Sequence, residues 1–157
     1  MSNNKETLRP RLQIIRGLPG SGKTTLAVQR YSHLLRLETD MYFSRGGKYV
    51  FTMDLNKRAV KWFNSAVRRT ASTKMDFVLT GVFAAHTERL ERAIRAGLDN
   101  GYEVWVKTLT KNYGNIHGVP KEHFDSMQRA FVSDKVLRET YKDEPNVHFG
   151  LMPKGGK

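Results

Sequence analysis

Nine residues constrain this chain more than any others. Gly17-Leu18-Pro19-Gly20-Ser21-Gly22-Lys23-Thr24-Thr25 match the phosphate-binding pattern G-x-x-x-x-G-K-[ST] at every fixed position. Residues 12–16 read as a buried parallel strand and residues 25–31 as a helix, so the loop lies in the strand–loop–helix context the pattern requires. Glycines let the backbone curl until successive N–H groups face one anion. The helix N-terminus adds unpaired N–H groups and its dipole. Gly17, Pro19, Gly20, Ser21, Gly22, Lys23, Thr24 and Thr25 are therefore expected to hold the phosphates of a nucleoside triphosphate. Lys23 is expected to reach the β- and γ-phosphates, and Thr24 to hold Mg²⁺ through its hydroxyl.

A chain of 157 residues suits one domain with a substantial core. The expected division is a flexible tail over 1–10, a single nucleotide-binding domain over 11–150 and a second flexible tail over 151–157. There are no cysteines, which excludes disulfides and thiolate metal sites. No apolar run approaches the roughly 18 residues of a membrane span, and the polar N-terminus is unlike a signal peptide. The expectation is a soluble cytoplasmic protein with no membrane partner.

Charge adds a second constraint. Lys and Arg number 27 against 15 Asp and Glu, a net +12. A small-metabolite site needs only a local basic patch, whereas an excess this large suits a polyanion whose bound counterions are released on binding. Nucleic acid is the expected partner, DNA ahead of RNA; a basic but merely solvated surface is the alternative.

Further along, residues 34–40 read as a second strand with Asp40 at its carboxyl end, and a short hairpin is expected around Gly46-Gly47. Asp54 is a plausible N-cap for a helix over 55–70 whose apolar positions Ala59, Val60, Phe63, Ala66 and Val67 keep helical spacing. Residues 76–80 and 102–106 read as strands, with an amphipathic helix over 87–100 between them. Pro120 opens a helix to about 132, and 147–149 read as a last short strand. Alternating strands and helices imply a three-layer α/β fold with a central parallel sheet and a small lid. Ligands in such sheets bind outside the carboxyl ends of the strands.

That rule collects the candidates for chemistry. Asp40 is expected to accept the proton of an acceptor hydroxyl as general base, with metal binding or a loop cap as other roles. Arg45 and Lys48 lie on the acceptor side and are candidates to hold a substrate phosphate, with Tyr42 among aromatics suited to base stacking or to a hairpin core. Lys107, Lys111 and His117 flank a polar loop able to close over the triphosphate, and Lys111 is the first choice to stabilise charge in transfer. Lys57, Arg58, Lys61, Arg68 and Arg69 make the helix over 55–70 strongly basic, as a nucleic-acid path or as a solvated face.

Four segments carry a family resemblance: Gly17 to Thr24, Thr39-Asp40-Met41-Tyr42-Phe43, Gly101-Tyr102-Glu103-Val104, and Asn115-Ile116-His117-Gly118-Val119-Pro120 followed by Met127. From residue 12 to about 127 the chain resembles the kinase domain of the polynucleotide kinase group of P-loop kinases and the zeta-toxin-like small ATP-binding kinases. The resemblance implies an adenylate-kinase-like core, ATP and Mg²⁺ as cofactors, phosphorylation of a hydroxyl, and Asp40 as general base. Two departures stand out. Where the family's third strand ends in Asp-Thr-Asn or Asn-Thr-Asn, this chain has Gly81-Val82-Phe83. Where the family's lid offers an arginine, no arginine occurs between Arg95 and Arg129, so Lys107 or Lys111 must serve.

The resulting expectation is transfer of the γ-phosphate of ATP to a nucleic-acid hydroxyl. The acceptor is either a 5′-hydroxyl end or a hydroxymethyl group on a modified pyrimidine such as 5-hydroxymethyluracil in DNA. An apolar Gly81-Val82-Phe83 able to pack on a base leans toward the second. A nucleoside or sugar kinase and a nucleic-acid-binding ATPase or nucleotide switch without transfer remain open.

Overall fold

The first strand is apolar at every position from Leu12 to Ile15 except Gln13, which is the pattern of a strand covered on both faces. In a computed structural model that describes residues 8–38, 44–45, 48–49, 53–84, 88–114 and 119–153, this strand is β1 (Arg11–Gly17) and lies at the centre of the sheet. The other elements are α1 (Lys23–Tyr31), β2 (Leu35–Glu38), β3 (Ser44–Arg45), β4 (Lys48–Tyr49), α2 (Met53–Ser72), β5 (Phe77–Gly81), α3 (Glu88–Asp99), β6 (Glu103–Leu109), α4 (Lys121–Ala130), α5 (Asp134–Thr140) and β7 (Val147–Phe149). The main sheet runs in the order β2-β5-β1-β6-β7, and every pairing in it is parallel. β3 and β4 form the small antiparallel hairpin expected around Gly46-Gly47.

Alternation along β1 separates two cores. Leu12 and Ile14 face α2, α3 and α5, where they meet Phe63, Val67, Leu90, Ile94 and Leu137. Ile15 faces α1, where it meets Ala27, Tyr31, Val78 and Met152. Helices therefore cover both faces, as the three-layer reading requires. Gln13 shares the α1 face and is fully buried. Burial is tolerated because its amide is saturated: Nε2 donates to the carbonyls of Trp105 and Gly150, and Oε1 accepts from the Tyr31 hydroxyl and the Met152 amide.

Several boundaries differ from the sequence reading. Asp54 lies inside the first turn of α2 rather than before it. β6 runs three residues further, to Leu109. The helix opened by Pro120 stops at Ala130, and a second one, α5, follows, capped by the Ser133 hydroxyl accepting from the Val136 amide. That helix is missing from the sequence reading because its seven residues bury only Leu137, too short a stretch to show a period. Met152, placed by sequence in a terminal tail, is buried. Arg9, placed in the other tail, pairs with Glu103 at 2.9 Å.

Candidate active site

The loop between β1 and α1 takes its shape from two glycines. Gly20 (φ 86°) and Gly22 (φ 92°) occupy the left-handed region that side chains disfavour, and Gly22 caps α1. The Ser21 amide donates to the Leu18 carbonyl at 3.1 Å, closing the curl. The Lys23 ammonium folds back, its Nζ donating to the carbonyls of Gly17 at 2.8 Å and Leu18 at 3.2 Å. The Ser21 hydroxyl is buried with no partner among the described residues. Pro19 is buried, while Thr24 and Thr25 are exposed on the first turn of α1. A buried orphan hydroxyl, a curled amide cradle and an inward ammonium together fit a bound polyphosphate.

This cradle opens into a cavity of about 570 Å³, walled on the other side by the end of β6 and the loop after it. Lys107 and Lys111 both line it. Lys107 reaches it by register: it pairs with Ile15, so its side chain falls on the α1 face, whereas Lys111 is exposed on the loop. The loop is held close. The Tyr113 amide donates to the Gly20 carbonyl at 2.7 Å, and the Tyr113 ring lies against Gly22, where an added Cβ would stand 3.3 Å from Cε2. The structure thus gathers Lys23, Thr24, Lys107 and Lys111 around one cavity. Asp40, Tyr42 and His117 lie outside the described residues. Arg45 and Lys48 face each other in the register of the β3–β4 hairpin.

The strand end expected to offer an apolar platform does not. Phe83 turns inward with φ 44°, is 4% exposed and packs on Phe63 with ring centroids 5.9 Å apart. Gly81 is small because that ring is close: a Cβ there would meet Phe83 Cε2 at 3.0 Å. Stacking of Phe83 on a substrate base is therefore corrected to a core role.

Two charged residues near the rim escaped the sequence reading. Arg16, immediately before the loop, is fully buried. Its guanidinium donates to the carbonyls of Phe83 (3.1 Å), Ala84 (3.1 Å) and Val132 (2.6 Å) and to the Thr108 hydroxyl (3.0 Å), and it lies 4.1 Å from the centroid of the Phe131 ring. Thr108 in turn donates to Asp134 at 3.0 Å. Burial lowers the Arg16 pKa to about 10, and the Asp134 carboxylate opposes the shift. One side chain thus ties β1 to the exit of β5, to β6 and to the α4–α5 junction. An arginine directly between the apolar pair Ile14-Ile15 and the phosphate loop was the available signal. The second residue is Glu38, at the end of β2. Its Oε1 accepts from the Thr24 hydroxyl at 3.4 Å, and its Oε2 accepts from Arg36 Nε at 3.0 Å.

This loop, the parallel order β2-β5-β1-β6-β7 and the two-sided helical cover define the adenylate-kinase-like P-loop fold, the fold of the P-loop kinases. The solved structures agree. Kti12 from Chaetomium thermophilum, in complex with ADP-AlF3, is similar with a TM-score of 0.64 at 14% identity, over 88% of each chain. A chain of the Pnkp1/Rnl/Hen1 RNA repair complex is similar with a TM-score of 0.52 at 17% identity, over 95% of this chain and 50% of that one. A chain of the PezAT chromosomal toxin–antitoxin system of Streptococcus pneumoniae gives 0.50 at 16% identity, over 92% and 62%. No family model matches the sequence. Among the described residues no helix is long and apolar enough to cross a membrane.

Proposed function

We propose that this chain is an ATP-dependent phosphotransferase that places the γ-phosphate on a hydroxyl of nucleic acid. The observation that carries the reading is the cradle of Gly20, Ser21 and Gly22, with Lys23 inside it, facing a wall that bears Lys107 and Lys111 across one cavity. Cations on both sides of the triphosphate suit a reaction whose catalysis is mostly positioning and charge stabilisation. The net charge of +12 supports a polyanionic acceptor, and the likeness to a chain of an RNA repair complex points the same way.

In this reading Gly17, Pro19, Gly20, Ser21, Gly22 and Thr25 shape the phosphate cradle. Lys23 holds the β- and γ-phosphates, and Lys111 steadies the oxygens of the group in flight. The Thr24 hydroxyl would hold Mg²⁺, which would supply neutralisation of charge on the phosphate oxygens. Asp40 takes the proton of the acceptor hydroxyl as its oxygen bonds to the γ-phosphorus. The bond from that phosphorus to the bridging oxygen breaks, and ADP leaves. Arg45, Lys48 and Tyr42 hold the acceptor strand. The acceptor is a 5′-hydroxyl end or a hydroxymethylated pyrimidine; the second needs its base turned out of the stack.

The test is transfer from γ-labelled ATP with Mg²⁺ to four acceptors: DNA and RNA with 5′-hydroxyl ends, end-blocked DNA containing hydroxymethyluracil, and a nucleoside mixture. Label on a polynucleotide is the expected result, and its position names the acceptor. Label on nucleosides alone replaces the proposal with a small-molecule kinase. ATP binding with no labelled acceptor replaces it with a nucleotide switch, a reading favoured by the absence of a carboxylate from Gly81-Val82-Phe83.

A further inference from the structure

The exit of β5 is Gly81-Val82-Phe83 and offers no carboxylate, yet a carboxylate stands beside Thr24. We infer that Glu38, at the end of β2, supplies the acidic group of a Mg²⁺ site shared with Thr24 and the nucleotide phosphates. The inference rests on the nucleotide-binding part of the proposed function and names a residue that function does not use.

Topology brings the groups together. Glu38 pairs in register with Thr80 of β5, so both side chains fall on the same face of the sheet. That face is the α1 face, because Val78, two residues before Thr80, packs on Ala27 and Tyr31 of α1. Thr24 sits in the first turn of α1, directly above. An edge strand is one place further from the phosphate loop than β5, and the length of a glutamate spans that extra distance: Oε1 lies 3.4 Å from the Thr24 hydroxyl.

That separation is itself informative. The two oxygens are held near one another but not tightly, since an O–H···O bond favours about 2.7 Å, and a small shift of either side chain would bring them to the roughly 3 Å between neighbouring oxygens around an octahedral ion bonded at about 2.1 Å. Arg36 engages only the other oxygen, so Oε1 remains directed at Thr24 while the ion pair fixes the carboxylate plane. The Glu38 side chain is 14% exposed, shielded enough for its charge to matter and open enough for an ion to reach it.

A second observation points to the same spot. The Thr80 hydroxyl is 1% exposed and has no partner among the described residues. A buried hydroxyl ordinarily finds one. It pairs in register with Glu38 on the same face of the sheet, so an unsatisfied hydroxyl neighbours the carboxylate. One carboxylate, one hydroxyl and substrate phosphates make up the set by which Mg²⁺ is commonly held at nucleotide sites.

The experiment measures ADP affinity of the full chain by calorimetry, once with EDTA and once with saturating Mg²⁺, and takes the ratio. The wild-type ratio is expected to favour Mg²⁺ clearly. Glu38→Gln keeps the volume and removes the charge, and is expected to lower the ratio about ten-fold or more, the scale of loss when a group organising a metal is removed. A merely structural Glu38 would weaken both affinities together and leave the ratio intact, which overturns the inference. Glu38→Asp, with its carboxylate withdrawn by one methylene, is expected to lower the ratio as well and serves if the glutamine variant folds poorly. Electron paramagnetic resonance of Mn²⁺ gives a reading free of catalysis: against a protein-free Mn²⁺–ADP control, the free-ion signal should fall further with wild type and stay at the control level with Glu38→Gln. Equal ADP affinity in EDTA and Mg²⁺ for wild type overturns the metal site alone. No ADP binding in either condition overturns the proposed function, and this inference with it.

Discussion

The amide of Tyr113 donates to the carbonyl of Gly20 at 2.7 Å, which fixes the loop after β6 directly onto the phosphate loop. The contact is tight: a Cβ on Gly20 would stand 2.1 Å from the Gly114 carbonyl oxygen. Gly20→Ala must therefore push the two loops apart and also adopt a left-handed backbone that costs about 1–3 kcal/mol for a residue with a side chain. The expected outcome is a lower unfolding midpoint by that order and loss of ADP binding, measured by urea denaturation and calorimetry. Unchanged stability and binding would show that the two loops do not depend on each other.

Lys23→Ala removes the ammonium from the cradle. Phosphoryl transfer should fall roughly 10²- to 10³-fold or more, the cost of deleting one preorganised charge stabiliser. The fold should persist, because the bonds lost are to the carbonyls of Gly17 and Leu18 at the rim. Labelled-phosphate transfer and circular dichroism on the same sample separate the two effects.

Asp40→Asn keeps shape and loses basicity. If Asp40 takes the hydroxyl proton, kcat drops roughly 10²-fold or more while ATP still binds. A rate near wild type assigns Asp40 a structural role.

Arg16→Met tests the buried clamp. Three carbonyls, those of Phe83, Ala84 and Val132, lose their charged donor, and the loss of stability should be on the order of 3 kcal/mol. Arg16→Lys should recover little, because one ammonium cannot span the fork of a guanidinium. Denaturant midpoints of both variants decide the point.

The alkaline limb of stability should report Tyr102. Its hydroxyl donates to the Met75 carbonyl at 2.7 Å, and burial, with the Asp76 charge, pushes its pKa from 10.0 up to about 12. Between those values the unfolded chain has released a proton that the folded chain keeps, so stability falls as pH rises, by about 1.4 kcal/mol per pH unit for one proton. Below pH 10.0 the contribution is complete. Tyr102→Phe should flatten this limb in urea unfolding from pH 9 to about 12. It should not abolish it, because burial raises Tyr31 and Tyr141 as well.

What the sequence discloses follows from how local each signal is. The phosphate loop is a fixed spacing within nine residues, so Gly17 to Thr25 and the flanking β1 and α1 are legible from the chain alone. The two cores follow from alternation along β1 and from the helical spacing of Ala59, Phe63, Ala66 and Val67. Glu38 and Arg16 are not legible in the same way. Glu38 meets Thr24 only because β2 pairs with β5 in the register that sets Glu38 beside Thr80. Arg16 can be buried because three distant segments bring four oxygens to it. The misreading of Phe83 has a similar cause, since a left-handed φ at a phenylalanine leaves no trace in composition. α5 was lost for want of length.

The central place of β1 has a consequence for how the protein is made. Among the strands of this sheet it is made before its partners, yet Leu12 pairs with Phe77 on one side and Val104 on the other. During synthesis Ile14 and Ile15 therefore wait with both edges of their strand open until residues far downstream emerge. Unpaired apolar edges recruit other chains. The net charge of +12 would keep nascent copies of this chain apart through mutual repulsion.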